Sequence, residues 1–276
     1  MTLRFGYNTN GFAHHRLSDA IDILADLGYV SVALTLDVHH LDPYADDFQH
    51  QAETVRRQLD RRGLRCVIET GARFLLDPFR KHQPTLLDPD ADRRAVRLDF
   101  LRRCIDLGAI LQADAVSFWS GTPESQEPPD ILMQRLADGC KRLADAAAAK
   151  GVRLAFEPEP GMLIDTMPRY RELSERVDHA AFGLTLDVGH LHCTGETPIA
   201  EHIHVWRDRL RNVHIEDMRP GVHDHLMFGE GDMDFPPILR ALEDIGYAGG
   251  VHVELSRHSH DAVRIARQAI DFLRAT

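Results

Sequence analysis

Four short apolar runs in the second half of the chain each end at or beside a side chain of a type that binds metals. These side chains are Glu157, Asp187, His214 and Glu254. Each run has the composition of a buried strand, and a helical pattern follows it. In a parallel α/β barrel, the C-terminal ends of the strands face one common site. Three carboxylates and one imidazole that meet there would suit a divalent metal ion.

A salt-bridge layer is the alternative interpretation of these four strand ends. Structural ion-pair networks also gather carboxylates, and arginines near the barrel mouth could supply the opposite charge. Carboxylates are rarely buried without a partner, so four aligned polar strand ends need a common explanation. A bound metal explains all of them together, and the pattern therefore favours a metal site.

The elements that would position these ligands alternate between strand and helix along the whole chain. The alternation repeats eight times, which favours a closed parallel barrel over an open sheet. The length of 276 residues is also close to the ~250 residues typical of such a barrel. We therefore predict an α/β fold in which residues 1–276 form a single (β/α)8 TIM barrel domain. The predicted strands are 3–7, 30–36, 64–68, 115–119, 154–157, 182–186, 211–214 and 251–255.

A long segment rich in proline, aspartate and arginine interrupts this alternation. It covers residues 72–89 and follows the third predicted strand. Loops of this length without their own secondary structure are usually functional in compact domains. We expect the segment to form a lid or an inserted turn over the barrel mouth.

Charge and cysteine content limit the classes of partner. The chain has 32 basic and 43 acidic residues and a net charge of −11, which argues against nucleic acid as the main partner. The four cysteines form no CxxC pair, so neither a disulfide framework nor a thiolate zinc site is indicated. The N-terminus has no signal-type region, and no apolar run is long enough to span a membrane. These features favour a reducing cytoplasm and a partner that is neither nucleic acid nor membrane.

Four motifs in the C-terminal half resemble the xylose isomerase-like barrel superfamily. Its members include sugar-phosphate isomerases and epimerases, ketose 3-epimerases, inosose dehydratases and, more distantly, endonuclease IV. The N-terminal half matches only as a barrel pattern. The motifs are Glu157-Pro158-Glu159-Pro160, Leu186-Asp187-Val188-Gly189-His190, Val213-His214-Ile215-Glu216-Asp217 and His225-Leu226-Met227-Phe228-Gly229-Glu230-Gly231.

The resemblance implies specific roles for the four strand-end residues. In the ketose epimerases, the residues matching Glu157, Asp187, His214 and Glu254 hold one divalent metal, and the two glutamates are also the acid/base pair. The oxygen-rich ligand set favours Mn²⁺ and leaves Co²⁺, Mg²⁺, Zn²⁺ and Fe²⁺ open. Relatives often assemble as dimers or tetramers, so a homodimer or a homotetramer is expected.

The chemistry that these residues could perform is proton removal beside a carbonyl. A metal chelated by the carbonyl and a neighbouring hydroxyl would stabilise the enediolate that forms. Inversion at that carbon needs one base on each face of the substrate. The first hypothesis is therefore a metal-dependent isomerase or epimerase of a small sugar or cyclitol. The alternatives are a lyase that dehydrates a keto-cyclitol or keto-sugar, an endonuclease IV-like hydrolase, and a barrel without catalytic activity.

Further residues are predicted to contact the substrate. Trp119 ends the fourth predicted strand and could stack on a sugar ring or cap the barrel core. Arg219 lies near the position where ketose epimerases carry an arginine, although it is offset from it. Glu69 ends the third strand, where a base could also stand. The predicted substrate-binding set is His190, His225, Glu69, Trp119 and Arg219.

A second metal site is an additional hypothesis from the resemblance. In endonuclease IV, a histidine matching His225 binds a further metal, and an aspartate stands two residues earlier. This chain has His223 at that earlier position. A site formed by His190, His223 and His225 is therefore an open alternative to a purely substrate-binding role.

Overall fold

Eight parallel strands close into one barrel in the computed structural model, which describes residues 2–276. Around the barrel the strand order is β1-β10-β7-β6-β5-β4-β3-β2. This confirms the predicted α/β barrel, and the predicted strands lie within one or two residues of the observed ones. The barrel strands are β1 (Arg4–Asn8), β2 (Ser31–Thr35), β3 (Arg65–Glu69), β4 (Val116–Phe118), β5 (Leu154–Phe156), β6 (Phe182–Asp187), β7 (Leu210–Ile215) and β10 (Gly250–Val253).

Helices cover the outside of the barrel and bury one face against it. In the first helix, Ile21 and Leu24 are fully buried, and the helix ends at Gly28, whose φ of 92° suits a glycine. Two 3₁₀ helices, Thr9–Phe12 and Ser256–Asp261, follow β1 and β10. The α-helices are α1 (Leu17–Leu27), α2 (Phe48–Arg62), α3 (Ala91–Leu111), α4 (Pro129–Ala149), α5 (Met167–Val177), α6 (Val188–Thr194), α7 (Ile199–Trp206), α8 (Phe235–Asp244) and α9 (Ala262–Ala275).

None of the helices within residues 2–276 combines the length and the apolar character that a membrane crossing requires.

A two-stranded antiparallel sheet stands where the sequence predicted only a long loop after β7. Its strands are β8 (Asp217–Arg219) and β9 (Val222–Leu226), and Arg219 pairs with Val222 at the turn. The turn contains Gly221 with a φ of 72°, a conformation that glycine adopts without strain. The short helix α6 was also not predicted. Both elements are too short to produce a clear periodic pattern, so the sequence signal for them was weak.

The barrel interior is polar below the strand ends that carry the candidate ligands and apolar elsewhere. On β10, the buried ring of His252 lies between β1 and β7. A Cβ on Gly6 would stand 2.3 Å from Cδ2 of this ring, so only glycine leaves room for the imidazole. Its two nitrogens lie 2.8 Å from Ser31 Oγ and 2.8 Å from Asn212 Oδ1. This hydrogen-bonded layer lies directly beneath the strand ends that carry the candidate ligands.

Candidate metal centre and active site

The structure brings the four predicted ligands together at the C-terminal end of the barrel. Glu157 directly follows β5, Asp187 ends β6, His214 is the last residue but one of β7, and Glu254 directly follows β10. One ligand atom from each lies within 4.8 Å of the others. The parallel register produces this arrangement, because β6 pairs Asp187 with His214 of β7.

The imidazole of His214 is the centre of the cluster. Its Nδ1 lies 2.9 Å from Oε1 of Glu157 and 2.9 Å from Oε2 of Glu254. Oδ2 of Asp187 lies 3.9 Å from the same nitrogen. All three carboxylates therefore turn an oxygen toward one nitrogen atom at the bottom of the barrel mouth.

The other nitrogen of His214 is held by Glu69. The distance from Nε2 to Oε1 of Glu69 is 2.9 Å, and a carboxylate can only accept, so Nε2 carries a proton. Asn212 donates to the same Glu69 oxygen at 2.9 Å and accepts from His252 through its own oxygen. Metal-binding histidines are commonly oriented by such carboxylate contacts. Glu69 is thus the hydrogen-bond partner of His214, a role that the sequence alone did not indicate.

The side chains present fit a divalent cation. Oδ2 of Asp187 is buried and has no hydrogen-bond partner within residues 2–276. With its proton on Nε2, a neutral His214 would turn a lone pair toward three carboxylates, which repel it. The cluster therefore needs either a second proton on the imidazole or a metal ion in its place.

Charge effects on the cluster lead to the same conclusion. Burial raises the pKa of Glu157 well above its usual range, even though His214 lowers it. Burial alone would lower the pKa of His214, but Glu69, Glu157 and Glu254 raise it well above the ordinary value. Against the opposing effect of burial, His214 lowers the pKa of Glu254. Glu157 and His214 thus bind protons tightly, and a divalent cation would compete with those protons for the same atoms.

Three histidines form a second group beside the first. His190 donates from Nδ1 to the carbonyl of Pro158 at 3.0 Å, which leaves Nε2 as the acceptor, 3.0 Å from Nε2 of His223. The rings of His223 and His225 are 5.1 Å apart between centroids. One nitrogen from each of the three rings lies within 4.8 Å of the others. The hairpin of β8 and β9 places two of these histidines opposite the third, on α6.

Glu216 and Asp217 are buried carboxylates that the sequence reasoning did not single out. Both oxygens of Glu216 lack a hydrogen-bond partner within residues 2–276, and one lies 3.9 Å from Nδ1 of His225. Asp217 accepts from the backbone N–H groups of Gly229 at 2.8 Å and Gly231 at 3.0 Å. Both residues belong to the family motif around His214, and this motif was the sequence signal that could have identified them.

A cavity of about 160 Å³ opens above the cluster of four candidate ligands. Its walls include the ends of β1 and β2 and the segment between β3 and α3 that was predicted to cover the mouth. Among the predicted substrate-binding residues, His190, His225, Glu69 and Trp119 line it. The cavity is also lined by Asn10, Arg73, Lys81 and Glu159.

A family model described as a xylose isomerase-like TIM barrel matches residues 21–276. The chain belongs to this family. The match extends well beyond the C-terminal motifs that first indicated the resemblance, and it includes the strand ends that carry all four predicted ligands.

Curated members of the xylose isomerase-like family include enzymes of two reaction types. An inosose dehydratase of Lacticaseibacillus casei is 30% identical over 142 residues, which is 45% of this chain and 47% of that protein. The chain thus matches about half the length of this relative. An L-ribulose-5-phosphate 3-epimerase of Escherichia coli, UlaE, is 24% identical over 212 residues, which is 76% of this chain and 74% of that enzyme.

Solved structures of xylose isomerase-like proteins share the whole fold. The crystal structure of the IolI protein with a zinc atom superposes with a TM-score of 0.80 at 17% identity. The superposition covers 99% of this chain and 97% of the other. At this level of identity the similarity extends to the arrangement of the barrel and its helices.

Arg219 is the predicted residue that this xylose isomerase-like barrel does not bring to the cavity. The side chain lies at the turn between β8 and β9, is exposed, and donates to the carbonyl of Glu230 at 2.7 Å. The hairpin carries it away from the cavity, so the expectation of a substrate contact is corrected here. Trp119 does reach the cavity wall, where its ring packs edge-on against His82 at 5.1 Å.

Proposed function

We propose that this chain is a divalent-metal-dependent isomerase or epimerase that acts on a keto-sugar or a related cyclitol. The main observation that supports this proposal is the convergence of Glu157, Asp187, His214 and Glu254 at the floor of an open cavity. The epimerase activity of the UlaE relative, which matches three quarters of the chain, supports this reaction class.

The four residues would hold the metal through three carboxylates and Nδ1 of His214. Among the common divalent ions, Mn²⁺ suits this ligand set, and the zinc atom in the IolI structure makes Zn²⁺ the next ion to test. When bound, the ion would polarise the substrate carbonyl and so acidify the neighbouring C–H group. Glu69 and Asn212 would hold His214 in the orientation and tautomer that metal binding needs.

Glu157 and Glu254 are the proposed proton acceptors. They follow β5 and β10 and face each other across His214, so each could approach a different side of a bound substrate. Their surroundings differ, because Asn10 donates to Oε1 of Glu254 at 2.7 Å. A donated hydrogen bond stabilises the charged form of a carboxyl group. We therefore expect the two glutamates to act with unequal efficiency on the two epimers.

Residues above the cluster would bind substrate hydroxyls. His190 lines the cavity with its Nδ1 proton committed to Pro158, so its Nε2 could accept from a substrate hydroxyl in place of His223. Glu159 also lines the cavity, and burial raises the pKa of its carboxyl group to about 7. The indole of Trp119 offers an apolar wall for a sugar ring. We assign these three side chains to substrate orientation.

A dehydratase is the second candidate function, and the inosose dehydratase relative is the observation that favours it. The same two glutamates would suffice, since one would remove the proton and the other would protonate the departing hydroxyl. The reaction would then lose water instead of returning an isomer.

Proton exchange in heavy water tests both candidates. Purified protein supplied with Mn²⁺ is incubated with ketopentoses, ketohexoses and a keto-inositol, and the products are followed by NMR. We expect an epimer that carries deuterium beside the carbonyl, whereas a dehydratase would give an unsaturated product. With Mn²⁺ supplied in enough excess to keep the site occupied, Glu157→Gln and Glu254→Gln should each reduce turnover by ~10²–10⁴-fold. Near wild-type turnover in both metal-loaded variants would show that the bases lie elsewhere.

A further inference from the structure

Two cationic side chains on the cavity wall lack a close anionic partner. Arg73 and Lys81 are the lysine and arginine residues that line the cavity. The guanidinium of Arg73 approaches Asp37 only at 3.8 Å, beyond hydrogen-bond distance. The ammonium of Lys81 has no ion pair or hydrogen bond within residues 2–276.

Two nearby arginines, Arg80 in the same segment and Arg93 in the first turn of α3, do have partners. Arg80 donates to Asp77 at 2.9 Å and to Glu124 at 2.9 Å. Arg93 donates to the buried carboxylate of Asp88 at 2.6 Å. Acidic side chains are therefore plentiful in this region, yet within residues 2–276 neither of the two cations that face the cavity donates a hydrogen bond to one.

The backbone brings these two cations to the same part of the wall. The N–H of His82 donates to the carbonyl of Arg73 at 2.6 Å, which closes the loop between them and places residue 81 next to residue 73. An anion bound between two positive charges on one wall offsets their mutual repulsion. Arg73 also borders a smaller cleft, so an anion at this position would have space.

A buried arginine fixes the loop in this position. Arg97 on α3 donates to the carbonyl of His82 at 2.6 Å and to that of Pro84 at 2.7 Å, and its guanidinium stacks over Trp119 at 5.0 Å. The imidazole of His82 donates to the carbonyl of Gly71 at 2.6 Å. The two cations are therefore carried by a backbone that is held at both ends, which is what a preorganised binding site requires.

We propose that Arg73 and Lys81 bind a terminal oxyanion of the substrate, so that the keto-sugar is a phosphate ester or a sugar acid. This inference rests on the proposed function for the reacting end of the substrate. The carbonyl end would lie over Glu157 and Glu254, and the anionic end would lie against the loop. Arginine binds phosphate and carboxylate through two parallel hydrogen bonds, and lysine adds a point charge.

Binding of non-reacting polyols separates this inference from catalysis. Ribitol, ribitol 5-phosphate and ribonate have no ketone, so their affinities for the Mn²⁺-supplied protein can be measured by calorimetry without turnover. We expect at least one of the two anions to bind ~10–100-fold more tightly than ribitol, as hydrogen bonds to charged groups imply. A larger gain in affinity for ribitol 5-phosphate than for ribonate indicates a phosphate ester as substrate, and the reverse indicates a sugar acid.

Substitutions test whether the two cations cause the preference. Arg73→Met and Lys81→Met should each reduce the preference for the anion over ribitol by ~10-fold or more. Arg80→Met is the matched control, because Arg80 is adjacent in sequence, equally cationic and paired outside the cavity. The inference is overturned if ribitol binds as well as both anions, or if Arg80→Met reduces the preference as much as the other two. Either result leaves the proposed isomerase reaction intact, since heavy-water exchange tests that reaction independently.

Discussion

A single oxygen atom illustrates why the residues of this site are interpreted as metal ligands. Oδ2 of Asp187 is fully enclosed, yet no donor within residues 2–276 reaches it, while the other oxygen of the same carboxylate accepts from the N–H of His190 at 2.9 Å. An unpaired buried carboxylate oxygen costs about 1–3 kcal/mol or more. A cation at this atom would remove that cost, and the position of the atom beside His214 indicates where the cation would bind.

Replacement of Asp187 by asparagine tests its proposed role as a metal ligand. The amide retains the size of the side chain but removes the negative charge, so we expect metal content after dialysis to fall at least ~10-fold while the fold persists. Asp208→Asn is the control, because Asp208 precedes β7 at the opposite end of the barrel and is 91% exposed. Elemental analysis and circular dichroism provide the two measurements. Unchanged metal content in both Asp187→Asn and His214→Ala would rule out the assigned ligand set.

At the scale of elements, the segment between β3 and α3 supplies the cavity wall that distinguishes this site. It has no regular secondary structure between Glu69 and Ala91, so its shape depends on side chains that satisfy its backbone. Arg97 is the principal one. It is 3% exposed, has no carboxylate partner within residues 2–276, and donates to two carbonyls of the segment. Burial without a counter-charge lowers its pKa to about 10.

Replacement of Arg97 tests whether this buried side chain holds the segment in place. Arg97→Met should leave the carbonyls of His82 and Pro84 without donors and lower the free energy of unfolding by about 2–4 kcal/mol. Because the loss is local, limited proteolysis should first cut residues 72–90. Arg102→Met on the exposed face of the same helix should change neither quantity by more than about 0.5 kcal/mol. Urea denaturation that gives equal stability for the two variants would contradict this role for Arg97.

In the whole molecule, the proposed metal site would join strands that lie far apart in sequence. Its proposed ligands lie at or directly after the ends of β5, β6, β7 and β10, and β10 pairs with β1. One ion would therefore connect half of the barrel strands. A ligand that binds only the folded state stabilises that state according to its concentration. Metal binding and thermal stability should therefore change together.

Thermal unfolding measures this coupling. Mn²⁺ at about 100 times its dissociation constant should stabilise the fold by about 2.7 kcal/mol, which corresponds to a rise in Tm of about 5–10 °C for a chain of this size. Differential scanning calorimetry with and without EDTA gives the shift. In Asp187→Asn the same addition should have little effect, while Asp208→Asn should respond as the wild type does. A wild-type Tm that is independent of Mn²⁺ would contradict a folded-state metal site.

The sequence by itself determined the barrel and the convergence of the four strand-end residues that we propose as metal ligands. Each strand gave a local apolar signal, and parallel strands in a closed barrel must end at the same face, so Glu157, Asp187, His214 and Glu254 could be grouped without coordinates. The family motifs added the position of His190 and His225. These inferences needed only the order of elements and the type of the residue at each strand end.

Only the tertiary structure decided which other side chains reach the cavity. Glu69 is 145 positions away from His214, yet the closure of the barrel places their side chains 2.9 Å apart. The β8–β9 hairpin turned Arg219 outward, and the irregular segment brought Arg73 beside Lys81. Contacts across the barrel and within irregular loops depend on side-chain packing and backbone hydrogen bonds, which have no period in the sequence. The general chemistry of the site could therefore be predicted from the sequence, whereas the two cations that we expect to bind the anionic end of the substrate could not.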